Sequence, residues 1–567
     1  MVNLGRSGGC ATCRQRRVKC DEMKPACQRC LKLGRQCGGY HKRPTKLRFK
    51  DESDKFPKPS SQRADSHATE KASRKRQPTY SPPPSTFPSN TWGTAIQFFL
   101  ENSARGRGLE STHGFFETII PILSTEPKNS AIATAVLSVA ERHLSLWIDG
   151  PTAFLSPHQF LNQSLVRLRA AIQDPVERSK PSTMLAALVL HWYENVASVY
   201  LAQKVLRHHY NGALSLLLFR DSLNDQPGSM FKSYMARFFL HVEVSLALRE
   251  GRPVSDHTLV HIRVKCHDVP PNPSSKLDEI GVDLANLQCK FKKLLKEGNL
   301  LFAFDEGILT WYREGLHVHQ RLLAWAQNVP EHWCPLRLTS GHDFDPSLIS
   351  YQDVCEIYPS CQIASIWNLW RCYRLLLAQM FLVLLRKYPR LEGYPDFSDV
   401  ANPLFWQWDL QEAVDTICYT IPFYLGNRSR PSSIGDFSDP TITLLSHHSV
   451  SLGNPRRLGL EHGPFMPRDE HKRHAIAQGP WQIMGPLSRV LNLFSGEHGW
   501  VITEAIRPGQ HDWIRDQLLR VTVLLRLPVN EGHDYKRMSE ENLSVEIPKA
   551  DYIARRLHEG LNIIGGH

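Results

Sequence analysis

Residues 10–37 read CATCRQRRVKCDEMKPACQRCLKLGRQC and contain six cysteines. Their spacing is C-x2-C-x6-C-x6-C-x2-C-x6-C, so CATCRQRRVKC is followed 17 residues later by CQRCLKLGRQC. Closely spaced cysteines in an intracellular chain indicate metal ligands before they indicate disulfides. Because the two halves have the same spacing, the stretch predicts a repeated metal site.

Counting ligands indicates how many ions the stretch can hold. A structural zinc ion is tetrahedral and takes four ligands, so two separate sites would need eight thiolates. Two zinc ions can still be satisfied if each half contributes one shared cysteine, and the symmetric choice is Cys10 and Cys27. The predicted zinc ligands are Cys10, Cys13, Cys20, Cys27, Cys30 and Cys37.

Other arrangements of the cysteines remain open at this point. One zinc ion held by the two C-x2-C pairs would leave Cys20 and Cys37 without a role. A RING-type cross-brace needs eight ligands, and adding His41 brings the count only to seven. Disulfides are disfavoured, because no secretory signal follows the opening MVNLGRSGG and a reducing compartment is expected.

The basic charge of the chain is concentrated around the cysteines. The net charge is +12, and residues 1–50 hold 14 Lys and Arg against Asp21 and Glu22. Beyond residue 90 the acidic and basic residues nearly balance. A strongly basic small module joined to a neutral domain is the electrostatic pattern of a nucleic-acid-binding protein.

The stretch resembles the binuclear cluster of fungal Zn2Cys6 transcription factors in all six cysteines and in the basic run before the third. The resemblance implies two Zn2+ ions, with Cys10 and Cys27 bridging them. It also implies that Arg16 and Arg17 reach guanine edges in CGG-like triplets of the major groove. A solvated basic face without sequence preference is the alternative. The remaining predicted DNA-binding residues are Arg14 and Lys19, which favour phosphate contacts, and Lys42, Arg43 and Lys46. The basic tail that holds these last three could contact phosphates, serve as a nuclear import signal, or both.

The rest of the chain predicts a linker and a large helical domain. Residues 1–50 form the predicted cluster domain with its basic tail, and residues 51–91, rich in Pro and Ser, a disordered linker without heptads. Residues 92–567 form an all-α domain that loosely resembles the fungal-specific transcription-factor domain, with an exposed insertion at about 426–476. Apolar residues at helical spacing predict helices at 129–147, 184–200, 205–217, 230–248 and 363–388, and another opening at 156–157.

Together these features predict a mostly α protein that regulates transcription of RNA polymerase II genes. The expected partners are G/C-rich double-stranded promoter DNA, the transcription machinery or coregulators, and a second copy of the chain bound through the helical domain. We expect a nuclear protein without a membrane segment, since the longest apolar run, residues 375–385, is too short to span a bilayer. Enzyme motifs are absent from the sequence. A zinc-dependent protein-interaction adaptor is the alternative.

Overall fold

The structure is a computed structural model, and its described residues fall into two compact units, one within Met1–Tyr80 and one within Ser81–His567. In the described part of the first unit, the buried cluster consists of cysteines; the second unit has a large apolar core. The predicted mostly α fold is confirmed. The described residues are 10–21, 23, 26–37, 89–104, 118–155, 159–201, 207–218, 230–266, 270–297, 303–389, 402–447, 466–528 and 549–560.

Helices account for most of the described residues in both units. The first unit contains α1 (Ala11–Gln15) and α2 (Gln28–Lys32). The main helices described in the second unit are α3 (Ser89–Phe99), α4 (Ile119–Thr125), α5 (Ala131–Asp149), α6 (Gln159–Gln173), α7 (Pro175–Arg178), α8 (Pro181–Leu201), α9 (His208–Leu218), α10 (Met230–Glu250), α11 (Asp256–Cys266), α12 (Pro273–Glu297), α13 (Ala303–Gln327), α14 (Cys361–Lys387), α15 (Pro403–Tyr419), α16 (Ile421–Leu425), α17 (Arg468–Ser495), α18 (Gly499–Ala505), α19 (Gln510–Leu524) and α20 (Lys549–Gly560).

The helices predicted from apolar spacing are present, with bounds shifted by a few residues. Helix α5 begins after Ser130, whose Oγ accepts a hydrogen bond from the Ala133 N–H at 3.2 Å, and it ends at Gly150, which has a φ of 65°. Ser130 therefore acts as the N-cap that the local sequence predicts. Helices α6, α8, α9, α10 and α14 correspond to the other predicted segments. Residues 51–88 of the linker predicted at 51–91 and the predicted helix start at 156–157 lie outside the described residues, and residues 89–91 of that linker belong to α3.

Helix α14 lies at the centre of the second unit. Nearly all of its residues are buried, and it packs against α12, α13, α15, α17 and α18. Helix α14 and the segment 131–154 are each long and apolar enough to cross a membrane, but 94% of the apolar window in α14 is buried inside the fold. The apolar run at 375–385 therefore forms the core of this unit.

A short β-hairpin was not predicted. Strand β1 (Leu336–Thr339) pairs antiparallel with β2 (Val354–Ile357), and Arg337 lies opposite Glu356. The Glu356 carboxylate also accepts a hydrogen bond from the Arg371 guanidinium of α14 at 2.5 Å and from the Tyr358 hydroxyl at 2.9 Å. This buried group of charges joins the hairpin to the central helix. Strands of four residues are too short to produce a clear alternating pattern.

The predicted exposed insertion at 426–476 is wrong for much of its described part. Arg428 is only 4% exposed and donates a hydrogen bond to the Ile476 carbonyl at 3.1 Å. That carbonyl lacks its helical partner because Pro480, four residues later, has no N–H. Residues 468–476 already belong to α17. The Ser- and Pro-rich composition therefore reflects buried polar contacts as well as loop. Residues 448–465 lie outside the described part of the chain.

We predict that Arg371→Ala lowers the free energy of unfolding by about 3–5 kcal/mol, because it leaves the buried Glu356 carboxylate without its main partner. The matched control is Lys290→Ala, whose ion pair with Glu314 is 55% and 40% exposed and should change stability by about 0–1 kcal/mol. Urea unfolding of the full chain measures both. Similar values for the two variants would contradict a structural role for the buried pair.

Candidate zinc cluster and nucleic-acid interface

The two halves of the cysteine stretch fold in the same way. The backbone N–H of Cys13 donates to the Sγ of Cys10 at 3.4 Å, and that of Cys30 donates to the Sγ of Cys27 at 3.3 Å. Each C-x2-C pair therefore opens a short helix whose first free N–H groups face a sulfur atom. The 17-residue repeat in the sequence is thus a repeat of hydrogen bonds in the structure.

The third cysteine of each half returns to the first. Cys20 Sγ accepts a hydrogen bond from the Cys10 N–H at 3.4 Å, and Cys37 Sγ accepts one from the Cys27 N–H at 3.5 Å. Hydrogen bonds of this kind favour the thiolate form of a sulfur ligand. Each half therefore closes into a loop with three sulfur atoms directed inward.

Both helices end at a residue in the left-handed region. Gly34 has a φ of 60° after α2, and Arg17 occupies the equivalent position after α1 with a φ of 53°. Each helix end is closed by a bond across the turn, from the Arg35 N–H to the Cys30 carbonyl at 2.9 Å and from the Val18 N–H to the Cys13 carbonyl at 3.1 Å. This is the Schellman geometry, in which glycine is preferred because it lacks a Cβ.

The sulfur atoms form two overlapping groups of four. One group is Cys10, Cys27, Cys30 and Cys37, the other is Cys10, Cys13, Cys20 and Cys27, and within each group the ligand atoms lie within 4.8 Å of one another. Cys10 and Cys27 belong to both groups, and their sulfur atoms are 3.7 Å apart. A tetrahedral zinc ion with Zn–S bonds of about 2.3 Å needs sulfur atoms ~3.8 Å apart. The residues therefore fit two zinc ions that share two sulfurs.

The chemistry of these thiols also fits a metal site. Burial and the neighbouring thiols raise the pKa of Cys13 well above its usual range. A buried group of thiols therefore stays protonated unless a cation replaces the protons, which is the role of a bound zinc ion. None of the thirteen cysteines, all of which the structure describes, forms a disulfide.

Asp21 joins the two halves, a role that the sequence interpretation missed. Its carboxylate accepts hydrogen bonds from the backbone N–H groups of Met23 at 3.1 Å, Gln28 at 3.2 Å and Arg29 at 2.9 Å. These N–H groups hold the pKa of Asp21 below its usual range. A carboxylate directly after the third cysteine and seven residues before the start of α2 was the signal available in the sequence.

The predicted DNA-binding residues occupy the surface of the first half. Arg16, Arg17 and Lys19 are exposed, and Arg14 lies on α1. In contrast, the guanidinium of Arg29 in the second half donates a hydrogen bond to the Lys19 carbonyl at 3.0 Å and so helps to hold the basic segment 16–19 in place. Lys42, Arg43 and Lys46 lie outside the described residues.

Comparisons with known proteins agree with this geometry. Residues 8–47 match the fungal Zn(2)-Cys(6) binuclear cluster domain, and residues 98–248 match the fungal specific transcription factor domain. The chain thus combines a cluster domain that binds two zinc ions with a fungal transcription-factor domain. The second match is shorter than the range predicted from the sequence. No solved structure matches the chain significantly.

Individual relatives match over short stretches of the chain. The chain is 66% identical over 32 residues to an uncharacterized transcriptional regulatory protein of Schizosaccharomyces pombe, a match that covers 6% of each chain. It is 65% identical over 37 residues to the aspercryptin biosynthesis cluster-specific transcription regulator of Emericella nidulans, again over 6% of each. It is 58% identical over 33 residues to sterol uptake control protein 2 of Candida albicans, over 6% of this chain and 5% of the relative. The matched region thus spans only about 6% of the first two relatives.

We predict that Cys27→Ser lowers the zinc content more than Cys20→Ser does, because Cys27 lies in both groups of sulfur atoms and Cys20 in one. Elemental analysis of the purified chain should give about two zinc ions for the unmodified protein and about one for Cys20→Ser. Cys334→Ser, at an exposed cysteine far along the chain, is the control and should leave the zinc content unchanged. One zinc ion in both the unmodified protein and Cys20→Ser would instead favour a single zinc ion held by the two C-x2-C pairs.

Proposed function

We propose that the protein is a zinc-dependent, sequence-specific DNA-binding regulator of RNA polymerase II genes that acts in the nucleus. The observation that carries this proposal is a run of exposed basic side chains on the cysteine cluster, whose two groups of sulfur atoms share Cys10 and Cys27. Arg16, Arg17 and Lys19 are all exposed, and no acidic residue stands between Cys13 and Cys20. The domain matches and the names of the relatives support the same function.

The proposed mechanism assigns separate roles to the basic residues. The bound zinc ions supply the folding energy of a unit with very little apolar interior. The end of α1 then carries Arg16 and Arg17 into the major groove, where an arginine can donate two hydrogen bonds to O6 and N7 of guanine. This accounts for a preference for CGG-like triplets in G/C-rich promoters. The phosphate contacts come from Arg14, Lys19, Lys42, Arg43 and Lys46.

The rest of the chain would regulate DNA binding by the cluster domain. We propose a division into the cluster domain at 1–50, a linker at 51–91 and a regulatory domain at 92–567. The regulatory domain would bind coregulators or the transcription machinery and would bring two copies together, since no heptads follow the cluster. This assignment makes the protein a regulator and not an enzyme.

A zinc-dependent adaptor is the second candidate, and one observation favours it. The cluster exposes Met23, Leu31 and Leu33, which are 53%, 60% and 52% exposed. Three exposed apolar side chains on so small a unit are suited to a protein interface. A DNA-binding selection with the full chain at near-physiological salt separates the two candidates, because only a regulator enriches a sequence motif.

We predict that Arg17→Gly weakens binding to the selected site by about 1–3 kcal/mol and relaxes the sequence preference. Glycine adopts the left-handed φ of 53° without strain, so zinc content and thermal stability should not fall. Arg16→Ala tests the neighbouring arginine in the same assay. Binding isotherms on the selected site and on a scrambled site measure the effect.

The control is Arg35→Ala, an exposed arginine of the second half that should leave the sequence preference intact. An equal loss of affinity for the selected and scrambled sites would mean that Arg17 contacts phosphate only. An intact preference in both Arg17→Gly and Arg16→Ala would overturn the assignment of the base-reading residues.

A further inference from the structure

Helix α11 has an outward face with an unusual composition. The helix packs against α10 through Leu259 and Ile262, which are 6% and 0% exposed. The opposite face, at positions i, i+3, i+4 and i+7, is formed by His257, Val260, His261 and Val264. Both histidines are exposed, and the valines are 60% and 71% exposed. This face, the His-Val face, therefore pairs two imidazoles with two apolar side chains.

The two imidazoles lie side by side on this face. Their ring centroids are 4.2 Å apart and the rings are inclined at 35°. The Nδ1 of His261 lies 2.7 Å from the His257 carbonyl oxygen. Because a carbonyl only accepts hydrogen bonds, Nδ1 carries the proton, and in the neutral ring Nε2 keeps its lone pair. A histidine held by such a bond to a carbonyl is typical of zinc and copper sites.

This chain alone does not complete such a site. Within the described residues, the groups of three or more metal-binding side chains with close ligand atoms all belong to the cysteine cluster. His257 and His261 therefore supply two donors, and a zinc ion takes four. A twofold axis through the ion would bring the same two donors from a second copy, because a twofold interface joins identical patches.

We propose that the His-Val face is one half of a zinc site that a second copy of this chain completes. Zn–N bonds of about 2.0–2.1 Å hold the four imidazoles, and the exposed Val260 and Val264 are buried against their counterparts. Charge does not oppose the contact, since the neighbouring Arg263 forms an ion pair with Glu279 at 2.5 Å. This inference does not depend on DNA binding.

The test uses the untagged full-length protein with its cluster already loaded, because a histidine tag would itself bind zinc. Sedimentation velocity is recorded as zinc chloride is added at micromolar concentrations, and bound zinc is measured by elemental analysis after removal of free ions. We expect a monomer that becomes a dimer, with one additional zinc ion per two chains.

Two variants and one control separate this site from nonspecific effects. The double variant His257→Asn and His261→Asn should raise the zinc concentration needed for half-dimerisation more than tenfold, with unchanged helicity. Val264→Asp should prevent dimerisation while the extra zinc still binds one chain weakly. His317→Asn, at a single exposed histidine of α13, should behave as the unmodified protein.

Three results would overturn the proposal. One is a protein that stays monomeric at every zinc concentration, and another is a dimer that the double histidine variant still forms. The third is one extra zinc ion per chain without association, which would mean that a different molecule or only solvent completes the coordination.

Discussion

In the described part of the first unit, four buried sulfur atoms take the place of a hydrophobic core. Cys10, Cys13, Cys27 and Cys30 are 0–1% exposed, whereas the larger apolar side chains Leu31 and Leu33 are more than half exposed. A unit of this size buries too little apolar surface to offset the entropy of ordering its backbone. The metal–thiolate bonds must therefore provide the folding energy, and the geometry of the ligands determines the geometry of the DNA-binding surface.

The second unit depends on a different constraint, namely the burial of charge along its central helix. Arg371 is neutralised by Glu356 of the hairpin, and Arg374 pairs with Asp409 and Glu412 of α15. Such pairs are weak sources of net stability but are costly to break, because a single unpaired charge remains in the core. They favour one arrangement of the hairpin and α15 around α14 over other apolar packings.

The difference between what could be predicted and what could not follows from the range of the interactions. Ligand spacing and helical periodicity are local features, and they predicted the cluster and the helices. The role of Arg428 depends on a partner 48 residues away, which no local pattern reveals, whereas the position of Asp21 directly after the third cysteine was a local signal that the interpretation missed. The segment around 426–476 looked like a loop for the same reason, since its polar groups are satisfied by contacts distant in sequence.

The symmetry of the cluster also shows where its two halves serve different purposes. Their cysteines make equivalent hydrogen bonds, but the left-handed position holds glycine in the second half and Arg17 in the first. A residue with a Cβ costs about 1 kcal/mol more than glycine in this conformation. Arg17 stands in the less favourable conformation at the end of α1, in the half of the cluster with more basic residues. Such a side chain is better explained by a contact with another molecule than by a role in folding. The strain thus lies at the position where the proposed reading of DNA requires a side chain.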